Sequence, residues 1–183
     1  MTTAVPPTGR DEVAAAILEA SADLFAQRGP TATSMRDIAL RAQVNHGLIH
    51  RHFGTKEHLV GAVLDHLGSG LNTLVSDGAP AEAIEAATDR HTRVMARALL
   101  DGYPVGQLQT RFPNIALLMD KVLPSYGTND RAGRMAVANA VALQLGWRMF
   151  EPFLRSAVGL DEMTEVEVRA AVGATAARIL DPG

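Results

Sequence analysis

The sequence predicts an all-α protein: a three-helix head containing a helix-turn-helix, followed by a larger helical domain. Three observations carry this. Apolar residues recur at i, i+3, i+4 and i+7 through most segments, as one face of a helix requires. Glycine and proline pairs break the pattern at helical lengths. No alternating strand pattern of useful length occurs. With 183 residues the chain can build one good core or two small ones.

Residues 1–9 are polar with two prolines and are expected to be a disordered tail. Arg10 follows, either as a solvated charge or as an arm reaching phosphate or minor groove. Asp11 to Arg28 reads as the first helix, with Val13, Ile17, Ala20, Leu24 and Phe25 on one side and Gly29-Pro30 as its stop. Thr33 to Phe53 then reads as two short helices on a tight turn. Met35, Ile38, Ala39 and Ala42 form the apolar face of the first, and Ser34 with Asp37 suggests a capping box. Asn45 suits an N-cap for the second, which should bury Ile49 and Phe53 and end at Gly54. Its remaining face carries Asn45, His46, Leu48, His50 and Arg51, and a short helix with an apolar back and a donor-rich front suits a major groove. The head is placed at 10–55, with the helix-turn-helix at about 33–52.

Thr55 can cap a fourth helix from Lys56, with Leu59, Val60, Val63, Leu64, Leu67 and Leu71 as its stripe. The second domain is placed at 56–183, with helices over Ala81–Leu100, a short piece through Gln107–Phe112, then Pro113–Leu123, Asp130 to about Ala157, and Thr164 to about Leu180. On the long helix Met135, Ala138, Val141, Ala142, Leu145 and Met149 form one stripe and Leu143, Gly146, Phe150 and Leu154 another. Pro152 should kink or shorten it. Two apolar faces imply two neighbours. Both belong to an internal core, or one packs with the Ala-rich last helix against a second copy.

The net charge is −3, which argues against a protein that coats nucleic acid indiscriminately. The first 60 residues hold six Lys/Arg and six Asp/Glu, so the head has no cationic excess. There is no cysteine, hence no disulfide framework and no thiolate nucleophile. The N-terminus lacks the apolar core of a signal peptide, and no apolar run is long enough to span a bilayer, so a cytoplasmic location is expected.

The first 60 residues resemble the DNA-binding domain of TetR-family transcriptional regulators. The likeness lies in Ile17-Leu18-Glu19-Ala20, Leu24-Phe25-Ala26, Gly29, Thr33 to Ala39, Val44, Gly47, Arg51-His52-Phe53-Gly54 and Lys56-Glu57. It implies a homodimer, joined through the last two helices, that binds double-stranded operator DNA and releases it when a small molecule enters the larger domain. The expected DNA-binding residues are Thr33, Ser34, Asn45, His46, Gly47, Leu48, His50, Arg51, His52 and Lys56. Thr33 and Ser34 match positions near phosphate, 45–48 the start of the reading helix, 50–52 its DNA-facing end, and Lys56 a phosphate contact. Leu48 meets a thymine methyl or finishes the core. Gln43 replaces the commoner turn glycine, His50 a tyrosine, and His46 a lysine or arginine. An unperturbed imidazole titrates near pH 6.5, so operator affinity is expected to rise toward pH 6.

His46 and His50, four apart, have a spacing able to bind zinc, but no cysteine or suitably placed carboxylate joins them, and a DNA-facing cluster is the preferred reading. No metal or cofactor is expected. No phosphate loop, dinucleotide fingerprint or nucleophile elbow is present, so no enzyme is expected. His91, Met95, Tyr103, Phe112, Trp147 and Phe150 are candidate ligand-binding residues, with Arg111, Asn139 and Gln144 as further polar anchors, for an apolar or weakly polar effector. The function expected is a ligand-responsive repressor. The competing reading is a helical ligand- or partner-binding dimer whose neutral head has lost DNA binding.

Overall fold

The structure is a computed structural model that describes residues 7 and 9–181. The expected disordered tail falls mostly outside the described residues. The described chain forms α1 (Arg10–Arg28), α2 (Met35–Ala42), α3 (His46–Phe53), α4 (Lys56–Ser76), α5 (Ala81–Leu100), α6 (Val105–Leu108), α7 (Pro113–Val122), a 3-10 turn at Leu123–Tyr126, α8 (Asp130–Val158) and α9 (Glu165–Leu180). No strand occurs among the described residues.

Two compact units result, Met1–Phe112 and Pro113–Gly183. The core of the first unit runs past residue 55. Phe25 and Ile17 of α1, Ile38 of α2, Ile49 of α3, Leu59, Val60, Val63 and Leu64 of α4 and Val94 of α5 are all fully buried in one cluster. The fourth helix is therefore built into the head rather than leading out of it. At Gly61 a Cβ would collide with the Leu108 carbonyl, so only glycine lets α6 lie this close to α4. Asp65 then accepts hydrogen bonds from the backbone N–H groups of Thr110 (3.1 Å) and Arg111 (3.0 Å), which pins the chain after α6 to α4.

The second unit packs α7, the 3-10 turn and α9 around α8. The stripes expected on α8 from large apolar residues are not its inward face. Gly133, Ala136, Val137 and Ala140 are buried instead, at i, i+3, i+4 and i+7. Small residues allow close helix approach, whereas Met135, Ala138, Ala142 and Met149 of the expected stripe are exposed. Pro152 does not shorten α8, which runs to Val158 and stops at Gly159 in the left-handed region.

The α2–α3 turn closes with Gln43 at φ 54° and ψ 40°, the one non-glycine with positive φ among the described residues. Gln43 N–H donates to the Leu40 carbonyl (3.3 Å) and Val44 N–H to the Ala39 carbonyl (3.0 Å), the paired bonds of a Schellman ending. That ending normally takes glycine, because a Cβ in the left-handed region crowds the following carbonyl. The Gln43→Gly variant is expected to be more stable by about 1 kcal/mol, read as a rise in thermal midpoint; an unchanged or lower midpoint would show that the turn carries no such strain.

Candidate nucleic-acid interface

The turn before α2 is fixed from within. Thr33 is fully buried, and its hydroxyl donates to the Gly29 carbonyl at 2.8 Å. Its side chain has no solvent face, so the expected phosphate contact from Thr33 is withdrawn in favour of a structural role. Ser34 is exposed and caps α2. Its Oγ accepts from Asp37 N–H (3.1 Å), and the Asp37 carboxylate accepts from Ser34 N–H (2.9 Å). The Ser34 hydroxyl hydrogen remains available to a phosphate oxygen. The Ser34 hydrogen bonds hold the Asp37 carboxyl below the usual range, and Arg28 at 2.8 Å lowers it further.

Asn45 caps α3 through Oδ1, which accepts from Gly47 N–H at 2.8 Å. A Cβ on Gly47 would crowd that same oxygen. Of the eight residues of α3, Ile49 alone is buried, while His46, Gly47, His50 and Arg51 are exposed. Leu48, His52 and Phe53 are half-buried, with Leu48 and Phe53 packed on the core. The rings of His46 and His50 meet edge to face with centroids 4.9 Å apart, and no third metal-ligating side chain joins them among the described residues. His50 Nδ1 lies 3.0 Å from the Gly54 carbonyl. A carbonyl only accepts, so Nδ1 carries the hydrogen. Neutral His50 therefore presents Nε2 outward as an acceptor, and protonation turns the same atom into a donor.

Around α3 the charge is sorted. Glu19, Asp23 and Asp37 are engaged by Arg28, Arg41, Arg90 and His66. Arg10, Arg36 and Arg51 are exposed and make no ion pair among the described residues. Arg10, Arg51, His52 and Leu48 line, with Pro7 and Val13, a surface cleft of about 410 Å³ between α1 and α3. At the start of α4, burial pushes the Lys56 ammonium down, and the charges of Asp101, Glu57 and Asp37 partly offset this. Arg36 was not among the residues expected to touch DNA. Its signal is its place on α2 opposite Ile38, Ala39 and Ala42, which are buried. A helix with its apolar side anchored and its donors outward, flanked by unpaired cations, is equipped to meet bases and phosphates.

Residues 17–63 match the family described as "Bacterial regulatory proteins, tetR family". The HTH-type transcriptional repressor Rv3405c of Mycobacterium tuberculosis is 65% identical over 176 residues, covering 96% of this chain and 93% of that protein. The chain belongs to the TetR family. The HTH-type transcriptional regulator Mb3439c of Mycobacterium bovis is likewise 65% identical over 176 residues, 96% of this chain and 93% of that protein. The HTH-type transcriptional repressor KstR2 of Mycolicibacterium smegmatis is 42% identical over only 59 residues, 32% of this chain and 27% of that protein. This TetR-family chain is a DNA-binding transcriptional regulator, with α2 and α3 as its helix-turn-helix.

The expected ligand residues fall in both units. His91, Met95 and Tyr103 belong to the first unit, with Phe112 at its end, and Trp147 and Phe150 to the second. Met95 and Tyr103 pack against the same core as α3. The Tyr103 phenol is pushed up by burial and by Glu57 and Asp101, and it is hydrogen-bonded to Thr31. Phe112 and Phe150 are exposed, and Trp147 is half-buried. Burial holds the His91 imidazole below its usual range, and its Nε2 is buried with no hydrogen-bond partner among the described residues, as is Asn72 Oδ1 on α4.

Replacing Arg51 with alanine is expected to weaken binding to DNA from upstream of the protein's own gene by about 1–3 kcal/mol while leaving the thermal midpoint unchanged. Equal affinity in fluorescence anisotropy would remove Arg51 from the interface.

Proposed function

We propose that this chain is a ligand-responsive repressor, a homodimer that presents two copies of α3 to successive major grooves of a palindromic operator. The single observation that carries the reading is α3 itself, buried through Ile49 and exposed along His46, His50 and Arg51. The name of the M. tuberculosis relative, a transcriptional repressor, supports the sign of regulation. Ser34, Asn45, Gly47, Leu48, His52, Lys56 and the added Arg36 and Arg10 complete the proposed surface.

Dimerisation through α8 and α9 is supported by apolar side chains left in solvent on the second unit. Phe150 is 53%, Phe153 68%, Val158 65% and Val166 73% exposed. A monomer seldom leaves so many large apolar groups wet unless they form an interface. Two reading heads must sit about 34–36 Å apart to meet successive grooves, so a shift of a few ångströms in their separation is enough to release the operator.

The effector is proposed to be small and weakly polar. The orphan His91 Nε2 and Asn72 Oδ1 are candidate anchors, since a buried polar atom without a partner gains most from a ligand hydrogen bond. Helix α4 is the proposed transmitter. It starts directly after α3, shares the head core, and bears α6 at Gly61.

A gel shift against the DNA upstream of the protein's own gene tests the reading. Retarded DNA with two chains per site supports it, and no retardation at micromolar protein refutes it. A paired Phe150→Glu and Phe153→Glu variant is expected to sediment as a monomer and to lose operator affinity roughly tenfold or more; a variant that stays dimeric would move the interface away from these residues.

A further inference from the structure

Arg90 lies on α5, outside the three helices that carry the reading surface. Its guanidinium is spread over α1. Nη1 donates to Glu19 Oε2 at 2.8 Å, and Nη2 donates to Asp23 Oδ1 at 2.8 Å and to the Glu19 carbonyl at 3.2 Å. Asp23 in turn accepts from Arg41 Nη2 at 2.9 Å, and Arg41 is in the last turn of α2. Glu19 is held on its other oxygen by His66 Nε2 of α4 at 2.6 Å. Burial pushes the Glu19 carboxyl up, but the hydrogen bonds and charges of His66 and Arg90 outweigh it and keep the group ionised. One line of charges thus runs from α4 through α1 and α5 back to α1 and on to α2.

Helix α2 is only eight residues long and is fastened to α1 at both ends, by Arg28–Asp37 at 2.8 Å and by Asp23–Arg41. Asp23 can bring Arg41 to a fixed place only if the carboxylate itself is fixed. Arg90 supplies that. Exposed ion pairs add little to stability, but a planar guanidinium spanning two carboxylates adds orientation that an ammonium cannot.

We propose that Arg90 is a positioning residue for operator recognition, setting through Asp23 and Arg41 the pose of α2 and, across the Gln43 turn, of α3. The proposal rests on the reading of α3 as the DNA-contacting helix. It makes α5 a part of the DNA-binding apparatus that touches no DNA.

The test uses the full chain in fluorescence anisotropy, on the upstream DNA of its own gene and on a scrambled duplex, over a salt series. Arg90→Met is expected to lower operator affinity roughly tenfold. Affinity for the scrambled duplex and the salt slope should stay unchanged, because no phosphate contact is lost. Arg90→Lys should not rescue the loss, and adding Asp23→Asn to Arg90→Met should cost nothing further, because both act through one line of contacts. Operator affinity within about twofold of the unaltered protein, equal losses on both duplexes, or additive losses in the double variant would each overturn the proposal. If Arg90→Met fails to fold, Arg90→Lys and Asp23→Asn carry the same comparison. An unaltered protein with no preference for the operator would refute the DNA-reading itself; a preference that survives in Arg90→Met would refute only the role of Arg90.

Discussion

Ile49 is the one buried residue of α3, and the orientation of the whole reading surface follows from it. A helix of eight residues is too short to hold itself together in water, so its stability comes from packing. Ile49 sits among Ile38, Phe25, Leu59 and Val63 in a cluster from which solvent is excluded. With a period of 3.6 residues, anchoring position 49 turns 51 to the far side and 50 to the flank, while His46, in the first turn, is also exposed. The Asn45 cap at one end and Gly54 at the other set the length of that face. Few rotations of α3 would keep Ile49 dry, so the same contact that stabilises the helix also aims its donors.

Neutrality of the head is then no objection to DNA binding. What a phosphate meets is the local arrangement of charge, not its sum. Helix α1 turns Glu19 and Asp23 toward Arg41 on α2, His66 on α4 and Arg90 on α5. Among the described residues Arg10, Arg36 and Arg51 make no ion pair, and Arg10 and Arg51 line the cleft between α1 and α3. Such an arrangement suits the proposed recognition of DNA through a few placed contacts. The proposed dependence on Arg90 has the same origin, since an acid used to sort charge also becomes a lever on whatever cation it holds.

The two units differ in how they use apolar area. The first closes large side chains into one core. The second buries mainly small residues of α8, with Gly133 close against Leu123 and Tyr126, and leaves phenylalanine and valine in solvent. That asymmetry is what supports the proposed dimer.

Helix content and most helix limits were legible in the sequence, because caps and periodicity are local. Ser34, Asn45, Thr55 and Thr164 each cap the helix that follows. The outward row of α3 was legible for the same reason. Local rules could not say which face of α8 turns inward, because a row of glycine and alanine gives almost no hydrophobic signal. Nor could they see that Thr33 is buried, since its hydroxyl finds its partner only when the turn closes on Gly29. The sorting of charge around α3, and the reach of Arg90 to Asp23 across 67 positions, depend on helices distant in sequence becoming neighbours. By itself the sequence determined which segments are helical and which residues of α3 would stay in solvent; the tertiary structure alone decided which charges pair, because only packing brings each acid to its partner.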